Sequence, residues 1–285
     1  MPAMRRGSDA PRTGSANVNT VSTGSGWNWL LTGFALFRRN PAMWALLVFS
    51  YIMLMQLLGM VPVLGWFAAT VLIPAFSASF MIVSRELDQG RQIGFALLFS
   101  GFRSNLPTLL TQGALYLASA LALLGLSALI DGGALLQLMV LGERPPAAAF
   151  ENGSLAVAAA LAAALYLPVL AAFWFAPALS AWRNLPAVQA LFYSLIATAR
   201  NWRAFVAYGI AVALLGLICS FALFVLALLL RGLLGDKSQN ALMLVVLPVM
   251  LTYVPTLFAS FYASYRDIFP PPEAAPEADA AAHPQ

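Results

Sequence analysis

Side chains able to do covalent or acid–base chemistry are scarce in this sequence and poorly placed for it. The one histidine, His283, lies in a Pro/Ala/Glu-rich C-terminal stretch, and the one cysteine, Cys219, sits inside an apolar run. Hydrolysis beside a membrane needs a nucleophile with a base, or a metal with its ligands. Neither a histidine triad nor a zinc site can be assembled from this inventory. HExxH, GxSxG, a GKS or GKT phosphate loop and GxGxxG are all missing from the chain. The expectation is a protein that is not an enzyme and uses no cofactor or metal. Two acidic groups merit weighing. In SRELDQGRQ, Ser84 to Gln92, Glu86 and Asp88 read as a solvated turn whose carboxylates are balanced by Arg85 and Arg91. Asp131, in LIDGGALL, either caps a following helix or contacts a ligand. Of the uncharged polar residues in apolar runs, Gln56 and Gln112 are the candidates for lining a polar path. The competing reading has each bonded to a neighbouring helix.

What positions these residues is a bilayer. Of 285 residues, 61% are apolar and 9% charged, against about 25% charged in soluble domains. Six runs approach the ~20 apolar residues that cross a hydrocarbon core: Pro41 to Met60, Leu64 to Val83, Leu106 to Ile130, Leu155 to Leu179, Ala204 to Leu230 and Ala241 to Tyr265. Their central turns hold no Asp, Glu, Lys, Arg or His, which lowers the case for proton-coupled transport. With six spans both termini share a side. Twelve arginines (5, 6, 12, 38, 39, 85, 91, 103, 183, 200, 203 and 266) fall on that side, and only Arg144, Arg231 and Lys237 on the other. The termini are therefore expected in the cytoplasm. The net charge of +4 marks topology and anionic headgroups, not nucleic acid, because the arginines flank the spans. Residues 1–26 read as a disordered basic tail and 270–285 as a disordered Pro/Ala/Glu tail.

Within 27–269 the sequence repeats. PAFSASFMIVSRE (74–86) and PTLFASFYASYRD (255–267) share the proline, Ala-Ser-Phe and a closing Arg-acid pair, and PALSAWR (177–183) is a shorter copy. A second word, FRRNPAMWALL, FRSNLPTLL and ARNWRAFV, puts arginine and asparagine ahead of the odd-numbered spans. It is preceded by amphipathic pieces, GWNWLLTGFALF, GFALLFSG and PAVQALFYSLIATA, which are too short to span and suit helices lying at the headgroups. The expected architecture is all-α: a six-span bundle of three tandem units (27–86, 94–183 and 187–267), each with a surface helix and two spans. In the repeated word, Pro74 and Pro255 bend their helices, and small residues such as Ala259 and Ala263 let a second helix approach closely. Ser260 and Ser264 belong either to that packing face or to a solute path. Arg39, Arg103 and Arg200 are candidate headgroup contacts.

FASFYASYRDIF, the LFRRNP junction, LLFSGFR and ARNWRAF together resemble an uncharacterised bacterial family of multi-pass inner-membrane proteins. The resemblance implies location and topology and carries no activity. More distantly, the pattern looks like the membrane domain attached to some glycerophosphodiester phosphodiesterases, which implies a bias toward lipids. The functional expectation is a lipid-associated or scaffold protein, with a small permease or channel for an uncharged or amphiphilic solute as the alternative. Membrane lipids are the expected partners, and a second copy or another membrane protein is left open.

Overall fold

A computed structural model describes residues 18–62, 64–235 and 238–270. Every regular element among them is helical. In order they are α1 (Ser25–Arg39), α2 (Pro41–Gly59), α3 (Leu64–Asp88), two 3-10 turns (Phe95–Phe99 and Gly101–Arg103), α4 (Leu106–Asp131), α5 (Ala134–Leu136), a π turn (Gln137–Leu141), α6 (Ala147–Glu151), α7 (Ser154–Trp174), α8 (Ala176–Arg183), α9 (Ala187–Arg200), α10 (Trp202–Leu234) and α11 (Ser238–Ile268). Six segments are long and apolar enough to cross a bilayer, α7 and α8 forming one of them. At 33 residues, α10 is about 50 Å long and exceeds a ~30 Å hydrocarbon core, so it tilts or projects.

Local chemistry sets where the elements begin and break. Asn40 starts α2 by accepting the Met43 N–H on its Oδ1 at 3.2 Å, with Pro41 ideally placed in the first turn. Asp131 caps the turn after α4, its two oxygens accepting from Gly133 N and Leu135 N at 2.9 and 2.7 Å. The α7–α8 break is a side-chain insertion. Ser194 of α9 donates its hydroxyl to Ala171 O (2.8 Å) and accepts from Phe175 N (2.9 Å), so it sits in the rung those two groups would otherwise form. Pro177, which has no N–H to offer, follows immediately.

Burial concentrates toward one end. In α2 the buried residues are Trp44, Leu47 and Val48, near its start; in α3 they run mostly from Pro74 onward; in α10 they are Ala204, Tyr208 and Ala211. Over half of the apolar window of α3 is buried (56%) and none of that of α10 (0%). The spans are packed at the end where α3 and α11 finish and are loosely engaged beyond it.

One surface element differs from expectation. GFALLFSG forms 3-10 turns instead of an α-helix; it is short, and Gly101 is pressed so closely to α3 that an added Cβ would lie 2.9 Å from Ser79 Oγ. In α9 the large apolar residues point away from the protein: Val188, Phe192 and Leu195 are exposed, while Ala187, Ala190, Ser194 and Ala197 are buried. In α1, likewise, Trp27, Leu31 and Phe34 are exposed, and Trp29, Leu30, Leu36 and Phe37 are buried.

The N-terminal tail requires a correction. Its described part is held: Asn19 N donates to Ile268 O (2.9 Å), Val21 N donates to Asn201 Oδ1 (2.8 Å), and Asn201 Nδ2 donates to Asn19 O (3.0 Å). Helix α1 then begins at Ser25. Polar composition suggested disorder, but Asn201 and the Ile268 carbonyl together hold residues 19–21. Residues 1–17 and 271–285, the rest of both expected tails, lie outside the described residues.

Candidate functional site

The packed end carries the charged chemistry. Three arginines, each closing one of the repeated words, reach from one span to another. From α11, Arg266 Nη1 donates to Asp88 Oδ2 of α3 at 2.8 Å, and the Tyr262 hydroxyl donates to the same oxygen at 3.0 Å. From α3, Arg85 lays its guanidinium over Trp182 of α8, 4.8 Å from the ring centroid. From α8, Arg183 Nη2 donates to Pro270 O at 3.0 Å and lies over Phe269, 5.4 Å from its ring. The circuit thus passes from α11 to α3, from α3 to α8 and back to the end of α11. Beneath it the Trp182 ring packs edge-on against Tyr265, with centroids 4.8 Å apart.

Single half-exposed ion pairs contribute about 0–1 kcal/mol and cation–π contacts about 0.5–2 kcal/mol. The circuit therefore matters as a geometry shared by three helices more than as a sum of bonds. It closes this end of the bundle with no nucleophile–base pair in it. Its outer neighbours tie in the surface elements. Trp29 Nε1 of α1 donates to Asp267 Oδ2 at 2.8 Å, and Arg39 donates to the Leu87 and Asp88 carbonyls that finish α3.

The turn after α3 is half as expected. Glu86 pairs with Arg91, and that carboxylate holds the Arg91 guanidinium above its usual value. Arg85 and Asp88, in contrast, leave the turn for α8 and α11. Sequence reasoning missed Asp88, Trp182 and Arg183 as members of one cluster. The available signal was the arginine at the same end of each repeated word; what it could not supply was the partner.

The other singled-out residues are dispersed. Arg103 and Arg200 are exposed, as is Arg39 despite its carbonyl bonds. Gln56 is exposed near the far end of α2. Gln112 is fully buried in α4, donating from Nε2 to Ala176 O (3.1 Å) and to Ser180 Oγ (2.8 Å). The structure does not bring the two glutamines together. Pro74, Pro255, Ala259 and Ala263 are all buried. So are Ser260, which shares a 2.6 Å hydrogen bond with the Tyr208 hydroxyl, and Ser264, which accepts from Trp174 Nε1 at 3.4 Å. A cavity of about 150 Å³ lies where α3, α4, α7, α8 and α11 converge, lined by Pro74, Ser77, Tyr116, Phe173, Pro177 and Phe261 among others.

Because Gln112 joins α4 to α8 inside the bundle, Gln112→Leu is expected to destabilise the detergent-solubilised protein by roughly 0.6–1.7 kcal/mol. Thermal melting checks this; Thr111→Leu, on the exposed face of the same turn, is expected to change little.

Six apolar helices of membrane-spanning length and an all-helical fold define a polytopic membrane protein. The chain is 42% identical over 255 residues to a protein of Burkholderia thailandensis named "Probable inner membrane protein", covering 87% of this chain and 92% of that one. It belongs to the same family of inner-membrane proteins. No family model matches the chain, and no solved structure matches it.

Proposed function

We propose that this is a non-enzymatic, lipid-associated scaffold of the bacterial inner membrane, with both termini cytoplasmic and its arginine circuit at headgroup depth. The observation that carries the reading is the orientation of the surface elements. Helices α1 and α9 turn small or packed residues toward the bundle and large apolar ones outward, the arrangement of helices lying in the headgroup plane. Exposed Arg38, Arg103, Arg200 and Arg203 lie beside these elements, and the twelve-to-three division of basic residues supports the cytoplasmic orientation.

A three-copy construction underlies the proposal. It is supported by a recurring relation: α1 rests on α11, the 3-10 turns on α3, and α9 on α7 and α8. In each case a surface element packs on the second span of the unit before it, the first unit following the third.

The test is retention of anionic lipid by native mass spectrometry after substituting Arg39, Arg103 and Arg200 together by glutamine. At about 1 kcal/mol per surface arginine, retention of phosphatidylglycerol should weaken by one to two orders of magnitude, with Arg39 contributing least because it already bonds α3. Unchanged retention would overturn the headgroup role.

The uneven packing favours one second reading. The bundle is closed at the arginine circuit, loosely engaged toward the other end, and hollow at the prolines between, as a small permease for an uncharged or amphiphilic solute would be. Proteoliposomes that take up solutes no faster than empty vesicles would remove it.

A further inference from the structure

A larger concavity lies on the membrane-facing side, away from the arginine circuit. It has a volume of about 670 Å³, its walls are α10 and α11, and α1 roofs it at headgroup depth. Trp27 and Phe34 come from α1, Leu214, Ile218 and Cys219 from α10, and Tyr253 from α11. From Thr256 beside the roof to Pro248 at the far end is eight residues of helix, about 12 Å at 1.5 Å per residue. The groove therefore runs from the interface toward the bilayer interior.

The hydroxyls that line it are already committed within the protein. Thr252 Oγ1 donates to Pro248 O (3.0 Å), Thr256 Oγ1 to Thr252 O (2.7 Å), and the Tyr253 hydroxyl to Val212 O (3.4 Å). The walls consequently offer an occupant mostly hydrocarbon and no free hydroxyl, which suits a methylene chain and suits a polar solute badly. At the roof the character changes. The exposed Arg38 guanidinium lies over the Phe34 ring, 5.9 Å from its centroid, and so places a positive charge beside the mouth.

We propose that this groove holds an acyl chain of one anionic phospholipid whose phosphate pairs with Arg38. The proposal rests on the lipid-associated reading and gives it a site. The roof, the apolar walls and the arginine at the mouth together reproduce the order of a phospholipid, charged head outside and chain beneath. Chains packed against a flat helix face would exchange freely; here three elements enclose the chain.

Cys219, the only cysteine in the chain, reports on occupancy without any substitution. The full-length protein in detergent is treated with a lipophilic maleimide after addition of dioleoyl phosphatidylglycerol or dioleoyl phosphatidylcholine. Phosphatidylglycerol should slow modification several-fold and phosphatidylcholine much less. Arg38→Gln should cut phosphatidylglycerol retention about fivefold, the effect of one surface arginine, and bring the two lipids close together. Ile218→Trp should fill the groove and abolish the retained lipid; Ile218 is 64% exposed, so the packed end is untouched.

Equal Cys219 reactivity with and without phosphatidylglycerol overturns the proposal. So does a dimer in which Cys219 is shielded before any lipid is added, since a second copy would then fill the groove. If the groove variants retain lipid like the wild type while the Arg39, Arg103 and Arg200 triple variant loses it, the groove proposal falls and the lipid-associated reading stands. If none of these variants loses lipid, both fall.

Discussion

Trp29→Ala is expected to destabilise the detergent-solubilised protein by about 3–5 kcal/mol, enough to lower its melting temperature far more than Leu31→Ala two residues away. Trp29 is 1% exposed and Leu31 is 52% exposed. The indole of Trp29 packs against Phe205 and Tyr208 of α10, at ring separations of 5.2 and 6.1 Å. Its Nε1 donates to Asp267 at the end of α11. One side chain of a surface helix thereby fastens two spans that are close neighbours in sequence to each other and remote from it. Truncation leaves a void and strands the carboxylate. Trp29→Phe separates the two effects: it keeps most of the packing and loses only the charge-assisted bond, about 1.5–3 kcal/mol. If Trp29→Ala and Leu31→Ala melt alike, α1 is not a structural member of the bundle, and the surface-element account of this family fails with it.

The spans themselves were legible because hydropathy is a local property. All six expected starts fall within three residues of the helix, the fourth span beginning one residue before its expected Leu155. Five of the six ends were set too early. α3 continues past Val83 to Asp88 and α11 past Tyr265 to Ile268, since a helix can carry Arg85 or Arg266 through the interface while the hydropathy window stops at the charge. Helix partnership was less accessible. The Arg-acid ending of the repeated word was visible, yet Asp88 meets Arg266 from a different span, and Arg85 meets an indole instead of a carboxylate. The junction asparagines show why a repeated letter does not carry a repeated role. Asn40 caps its own helix, Asn105 makes no side-chain cap bond, and Asn201 holds the chain's N-terminal stretch. Those bonds depend on what the fold brings alongside, which neither composition nor periodicity encodes.

Within α4, Gly113→Ala and Gly125→Ala are the same chemical change with opposite expected signs. A Cβ on Gly113 would fall 2.6 Å from the carbonyl carbon of Val71, whereas a Cβ on Gly125 meets nothing within 4 Å. Alanine at position 125 gains helix propensity, up to about 1 kcal/mol, and should leave melting unchanged or raised. Alanine at 113 gains the same propensity but drives α4 off the α3 backbone, and backbone atoms have no rotamer into which to retreat. Overpacking of this kind costs about 1–3 kcal/mol, so the net change should be destabilising and the two variants should melt on opposite sides of the wild type. The contrast separates close approach from the general effect of losing a helical glycine, because the helix and the residue change are the same and the packing against α3 differs. In a bilayer, where lipid supplies no hydrophobic push between helices, such approach is a principal source of cohesion. Two variants that melt together would show that the α3–α4 crossing is wider than described, and Gln112, one residue before Gly113, would then have to reach Ser180 by another route.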